Sequence, residues 1–394
     1  MRFSKRISQM DTSDLRNVLA LTARPDIISF AGGLPAPEAF PVEAMRRATD
    51  KVYRTRGAAA LQYGSSLGLA SLREKLALRH QAQGISCTAD DILMVSGSQQ
   101  GLDLAGKVFL EPGDVVLCEN PTYLAALTVF RAYGCRLLPV ETDSRGMVPE
   151  DLERKLSAHP EAKLMYVIPT FQNPTGKTWS LERRRAVLAL AEQYGLPILE
   201  DNPYGDLRYE GEAVPTLKSM DTAGIVTYMG SFSKVLSPGI RLGWLIAPPA
   251  LLGKYASAKE CTDLQASTLS QMVVDTYLED NDLDAGIRRI SALYKGRRDL
   301  MLSCLERGLP DGASCTHPQG GLFLWVTLPE RIDTTALLPE VAERKVAYIP
   351  GASFFAGRDV RCCLRLNYSN AAEEQIVQGV ETMCRAFRDA LEKG

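Results

Sequence analysis

SFSKVLSPGIRLG, residues 231–243, places one lysine, Lys234, directly after two hydroxyl residues and shortly before Arg241, amid proline and glycine. Most lysines sit on helix surfaces, and this setting is a poor one for a helix. The preceding run Ile225-Val226-Thr227-Tyr228-Met229 is apolar and β-branched, so it reads as a buried strand. Lys234 then falls just past the carboxyl end of that strand, where open α/β sheets bind their ligands.

Similar apolar runs recur along the chain at Ile92 to Val95, Val115 to Cys118, Leu164 to Ile168, Pro197 to Glu200 and Gly243 to Ile246. Helical patterns lie between several of them, such as SGSQQGLDLAGKVFL from Ser96 and LERRRAVLALAEQYG over 181–195. This alternation predicts an α/β fold with a mostly parallel sheet covered on both faces. Residues 249–308 read as a long helical stretch. Short strands return at GLFLWVTL (321–328) and CCLRLNYS (362–369), ahead of a closing helix. The expected division is an N-terminal helix and loop at 1–40, a large domain at 41–284 and a smaller α+β domain at 285–394. Within the first segment, Thr12 or Ser13 can cap an amphipathic helix through Leu15, Val18, Leu19 and Leu21, ended by Pro25.

The bulk numbers narrow the function classes. The 394 residues are 45% hydrophobic and 23% charged, an ordinary globular balance. A formal net charge of -2, dispersed along the chain, argues against a polyanionic or membrane partner. There is no apolar run long enough for a transmembrane helix, and MRFSKRISQMDTSD lacks the apolar core of a signal peptide. Nine cysteines without a CxxC pair argue against a disulfide framework, and a reducing cytoplasm is expected. The adjacent Cys362 and Cys363 read as buried strand residues rather than a redox pair.

Four motifs taken together, FAGGLPAPEAFP (30–41), SGSQQGLDL (96–104), FQNPTG (171–176) and SFSKVLSPG (231–239), resemble the pyridoxal-phosphate-dependent aminotransferases of fold type I. The nearest subgroup is that of the 2-aminoadipate and kynurenine aminotransferases. The resemblance runs from residue 30 through Arg365. It implies a large domain with a mostly parallel seven-stranded sheet flanked by helices, and a small domain built from both terminal segments.

A pyridoxal phosphate site needs an amine for the aldehyde, an acid for the ring nitrogen, donors for the ring oxygen, a cradle for the phosphate and a flat partner for the ring. By resemblance Lys234 is the Schiff-base lysine and Asp201, in PILEDNPYGDL, faces the ring nitrogen. A lone Asp ending a strand ordinarily reads as a turn or cap residue. Asp201 stands one strand ahead of Lys234, which favours the functional reading. A carboxylate there stabilises the protonated ring, and strand alternation sends the neighbouring Glu200 to the other face. Asn173 and Tyr204 match the donors to the ring oxygen, although Asn-Pro-Thr-Gly alone is a plain turn. Ser98 and Gln99 open a helix whose N–H groups and dipole face an anion. Ser231 and Ser233 add hydroxyls, and Arg241 a planar fork suited to phosphate. Tyr123, in ENPTYLAAL, matches the aromatic residue stacked on the ring. Tyr63, in LQYGSSLG, matches a tyrosine that reaches the phosphate in a neighbouring subunit, which implies a homodimer with shared sites.

For the substrate, Arg365 matches the clamp on the α-carboxylate. An arginine in an apolar strand is costly unless paired. Asn173 and Gly33 join it in the implied substrate site, and Arg16 matches a position that meets a distal carboxylate. One departure is Asn202, where close relatives often carry a second aspartate. The implied reaction is ping-pong transamination between an L-amino acid (2-aminoadipate, glutamate, or a large apolar or aromatic one) and a 2-oxo acid, 2-oxoglutarate by resemblance. The same fold also hosts racemases, decarboxylases and lyases, and non-catalytic sensors fused to a DNA-binding domain. Arg365 and Asn173 favour a retained α-carboxylate. The sensor is disfavoured because the chain begins close to the fold's own first helix and carries no basic reading head.

Overall fold

A computed structural model of the chain describes residues 1–8, 24, 26–357 and 359–393. The expected N-terminal amphipathic helix and Arg16 lie outside the described residues. The first strand, β1 (Ile28–Ser29), pairs in parallel with a C-terminal segment described below. Strands β2 (Ile92–Val95), β3 (Val115–Asn120), β4 (Arg136–Asp143), β5 (Gly146–Met147), β6 (Leu164–Val167), β7 (Ile198–Asp201), β8 (Val226–Ser231) and β9 (Gly243–Ile246) form one eight-stranded sheet. Its spatial order is β2-β9-β8-β7-β6-β3-β4-β5. The central pairs β4/β3, β3/β6, β6/β7 and β7/β8 are parallel, whereas β9 runs antiparallel to both neighbours.

Strands β2, β3, β6, β7, β8 and β9 are buried along their whole length, as expected of a sheet with helices on both faces. The covering helices start and stop where local chemistry dictates. Helix Leu181–Tyr194 begins at Ser180, whose side chain accepts from the Arg183 N–H at 3.2 Å. It ends at Gly195, whose φ of 61° is the left-handed conformation that costs glycine little. The single helical stretch read over 249–308 is three helices, Pro249–Asp263, Thr268–Asp280 and Leu283–Gly308, the last two capped by Ser267 and Asp282. The proposed domain boundary at 285 falls in the first turn of the third.

Beyond that helix, β10 (Ser314–Cys315), β11 (Phe323–Thr327), β13 (Ile349–Pro350) and β14 (Cys363–Asn367) form an antiparallel sheet in the order β10-β11-β14-β13, and β12 (Val346–Ala347) pairs with β1. Arg365 sits mid-strand in β14, opposite Trp325 and Ile349. The long helix Leu283–Gly308 packs on the closing helix Glu373–Lys393.

The large sheet holds eight strands where seven were expected, the six runs read above together with β4 and β5. Strand β5 arises where Ser144 and Arg145 turn the chain back onto the end of β4. No helix among the described residues is long and apolar enough to cross a membrane. All nine cysteines are free, and burial pushes the Cys363 thiol up to about 11.

Candidate active site

The carboxyl ends of β7 and β8 open onto a cavity of about 460 Å³, together with the turn after β2 and the loops that follow β3 and β6. Phe323, Ile349 and Arg365 close it from the antiparallel sheet, and Gly32, Gly33 and Leu34 from the N-terminal loop. Three basic side chains, Lys234, Arg241 and Arg365, line it with one acid, Asp201.

Asp201 is the last residue of β7 and is buried. Its Oδ2 accepts from the Tyr166 hydroxyl at 2.8 Å. Its Oδ1 has no hydrogen-bond partner among the described residues. Burial pushes the carboxyl up to about 7, against the pull of the Tyr166 hydrogen bond. A cationic N–H donor entering the cavity would satisfy the free oxygen and restore the carboxylate. Glu200, one residue earlier, points to the opposite face and accepts the N–H groups of Leu217 and Lys218 at 2.9 and 2.8 Å. Strand alternation thus separates the two acids.

Lys234 Nζ donates to the Gly33 carbonyl at 2.8 Å. Burial, with the charges of Arg365 and Arg241 nearby, lowers its pKa to about 8. Arg365 is 4% exposed, and no described carboxylate pairs with it. Its Nη1 donates to Asn173 Oδ1 at 2.8 Å and its Nη2 to the Ala31 carbonyl at 2.5 Å, while its Nε has no partner. Its guanidinium carbon lies 4.2 Å from the centroid of the Phe323 ring. Burial lowers its pKa to about 10. A buried guanidinium held only by neutral acceptors is built to meet an anion.

Asn173 Nδ2 also lies 3.5 Å from the Tyr204 hydroxyl, so this amide stands between the phenol and the guanidinium. Tyr123 lines the cavity on the side of the Leu124–Ala132 helix.

At the other end, the helix Ser98–Phe109 points its first N–H groups into the cavity beside Ser231, Ser233 and Arg241. Arg241 has a φ of 52°, and its Nη2 donates to the Ser96 carbonyl at 3.3 Å. Gly97, with φ of 85°, leaves no room for a Cβ against that guanidinium. A Cβ on Gly243 would stand 3.0 Å from the Ser98 nitrogen. Backbone amides, hydroxyls and a guanidinium therefore converge where side chains are excluded, as a dianion requires. The cavity offers an amine, a free carboxylate oxygen and an anion cradle. This set fits pyridoxal phosphate: Lys234 for the aldehyde, Asp201 for the ring nitrogen and the cradle for the phosphate.

The structure thus brings together Gly33, Ser98, Gln99, Tyr123, Asn173, Asp201, Tyr204, Ser231, Ser233, Lys234, Arg241 and Arg365. Tyr63 is absent from this wall and is 77% exposed at the protein surface. The sequence reading missed Tyr166, which holds Asp201, and Phe323, which stacks on Arg365 and meets the Tyr204 ring edge-on at 5.6 Å. Tyr166 had a faint signal, as the one polar tip in the LMYV strand beside Asp201; Phe323 in GLFLWVTL reads only as core.

A family model for aminotransferase class I and II matches residues 25–383. The aromatic-amino-acid aminotransferase 1 of Thermococcus litoralis is 44% identical over 396 residues, covering 99% of this chain and 95% of that protein. The crystal structure of Pyrococcus horikoshii kynurenine aminotransferase, in complex with PMP, KYN as substrates and KYA as products, matches with a TM-score of 0.95 and 42% identity over 99% of this chain and 97% of that one. The alpha-aminoadipate aminotransferase of Thermus thermophilus, complexed with N-(5'-phosphopyridoxyl)-L-leucine, matches with a TM-score of 0.93 and 36% identity over 100% of this chain and 98% of that one.

Proposed function

The chain belongs to the class I and II aminotransferases, pyridoxal-phosphate-dependent enzymes of fold type I, and we propose that it moves the α-amino group of an L-amino acid to a 2-oxo acid by a ping-pong mechanism. The donors we propose are 2-aminoadipate, glutamate, kynurenine and large apolar or aromatic amino acids, with 2-oxoglutarate as acceptor. The names of the similar enzymes support the 2-aminoadipate, kynurenine and large apolar or aromatic donors. The observation that carries the reading is Lys234 Nζ in one cavity with a buried Asp201 and an Arg365 that has no acidic partner among the described residues.

Pyridoxal phosphate, when bound, supplies an electron sink for the substrate's Cα electrons. The residues supply the rest. Asp201 would hold the ring nitrogen's proton through its free Oδ1. Asn173 and Tyr204 would donate to the ring oxygen, Tyr123 would stack on the ring, and Ser98, Gln99, Ser231, Ser233 and Arg241 would hold the phosphate. Arg365, oriented by Asn173, clamps the substrate carboxylate, with Gly33 beside it. Lys234 would hold the cofactor through its amine. Its amine, when free and neutral, would be the group that takes the substrate's Cα proton at Nζ and gives it back. A pKa of about 8 leaves about a tenth of its amine neutral at pH 7, against about one part in 3,000 at the ordinary value. Nine unpaired cysteines support a cytoplasmic setting.

The test mixes cofactor-loaded protein with single amino acids and no acceptor. Stoichiometric release of 2-oxo acid is expected, with parallel initial-velocity lines once an acceptor is added. Loss of α-hydrogen or of carbon dioxide without 2-oxo acid would overturn the reading. Lys234→Ala is expected to bind the cofactor and to lose turnover.

A further inference from the structure

The anion cradle is held from behind by side chains that never touch the cavity. Ser96 has all three of its polar groups committed. Its N–H donates to Gln100 Oε1 at 2.8 Å, its hydroxyl to Asp263 Oδ2 at 3.1 Å, and its carbonyl accepts from Arg241 Nη2 at 3.3 Å. Gln100 Nε2 donates to the same Asp263 oxygen at 2.7 Å. Lys259, whose side chain is 0% exposed, closes the ring by donating to Asp263 Oδ1 at 2.5 Å and to Gln100 Oε1 at 3.3 Å. Asp263 thus gathers Ser96, Gln100 and Lys259, and the residues between Ser96 and Gln100 are the turn that begins the cradle.

We propose that Asp263 is a positioning residue for the cofactor's phosphate, fixing the Ser96–Gly97–Ser98 turn so that the helix N–H groups converge with Arg241. The reasoning rests on the cofactor reading above and goes beyond it, because none of Ser96, Gln100, Lys259 and Asp263 lines the cavity. Gly97 has no Cβ to wedge the turn in place and needs a φ of 85°. An unsupported turn of that kind has many conformations open to it. The network removes that freedom before the ligand arrives, which is how a supporting layer raises affinity. The ion pair has a second consequence. Asp263 ends its helix, and two residues on, Gln265 Oε1 accepts from the N–H of Gly64, next to Tyr63. One helix end therefore braces both the cradle and the segment that carries Tyr63.

A purely structural role for the Lys259–Asp263 pair makes a different prediction, and phosphate separates the two. Binding of pyridoxal phosphate and of pyridoxal, which lacks the phosphate, would be measured by absorbance titration of cofactor-free protein. For Asp263→Asn the dissociation constant for pyridoxal phosphate should rise about tenfold, the loss of roughly one hydrogen bond to a charged group, and that for pyridoxal less than about twofold. Asp263→Asn leaves a buried ammonium with a neutral partner and risks the fold, so Ser96→Ala, which removes one hydroxyl, is the second variant. It should weaken pyridoxal phosphate about threefold and add little on top of Asp263→Asn. Equal weakening of both ligands, or none in a folded variant, would overturn the proposal. Failure of the unmodified protein to bind pyridoxal phosphate at all would instead remove the cofactor reading itself.

Discussion

Two cations, the half-buried Lys234 and the buried Arg365, line this cavity, and the guanidinium bears on the lysine's chemistry. Lys234 has its pKa lowered first by burial, then by Arg365 and Arg241. Capture of an aldehyde needs the neutral amine. The rate at which cofactor-free protein captures pyridoxal phosphate should therefore climb about tenfold per pH unit up to about 8 and level off above it. Removing a positive neighbour favours the ammonium, so Arg365→Leu should move the inflection upward, toward the ordinary lysine value. Arg365→Lys keeps the charge and should leave the inflection in place. The lysine still loses the fork held by Asn173 and Ala31, so KM for the amino acid should rise about tenfold or more. An inflection that does not move in Arg365→Leu, followed by stopped-flow absorbance, would show that Arg365 does not set the lysine and leave the shift to burial and Arg241.

At the scale of elements, the segment from Ile168 to Trp179 is a loop pinned at both ends by one side chain. Glu119, near the end of β3, accepts the Ile168 N–H at 2.7 Å and the Trp179 Nε1–H at 2.9 Å. Between those points Gln172 donates to the Pro121 carbonyl at 2.7 Å, and Asn173 reaches Arg365. Glu119→Gln keeps the shape but turns an amide N–H toward a donor, at a cost of about 1–3 kcal/mol. It should lower Tm by several degrees and raise KM for the amino acid more than it lowers kcat, because Asn173 orients the carboxylate clamp. An unchanged KM beside a lowered Tm would confine Glu119 to stability. The sequence showed the strands that carry the site because buried parallel strands are unbroken apolar runs. It therefore showed Asp201 and Lys234 at their ends. It hid β4, since RLLPVETD is half-buried and mixes charge with a proline. Glu119 was hidden for another reason: a carboxylate inside VVLCEN gives no sign of which distant N–H groups it will meet. Phe323 reads as core from its neighbours, and only the antiparallel sheet brings it over Arg365. What escaped the sequence was contact across elements.

At the scale of the whole molecule, one expected site residue lies outside the cavity. Tyr63 is 77% exposed, with Leu61 at 72% and Leu264 at 56%. The bond from Gly64 to Gln265 brings their two segments together. Large apolar side chains grouped at a surface are costly to leave in water. We propose that a second copy covers them in a homodimer, each Tyr63 reaching the phosphate held by its partner. In a two-fold dimer the residues of one site then come from two chains, which complementation detects. Tyr63→Ala should weaken pyridoxal phosphate about tenfold, and Lys234→Ala should abolish turnover. Random exchange of the two variants at equal amounts gives hybrids in half of the dimers. Each hybrid has one site with both substitutions and one with neither, so about a quarter of all sites should be native. Assayed at a cofactor concentration near the native dissociation constant, the mixture should recover at least about a quarter of the activity native protein shows there, where Lys234→Ala alone shows none and Tyr63→Ala alone about a fifth. If Tyr63 served its own subunit, every hybrid site would carry one substitution or the other, and mixing would give no more than the average of the two variants, about a tenth of native.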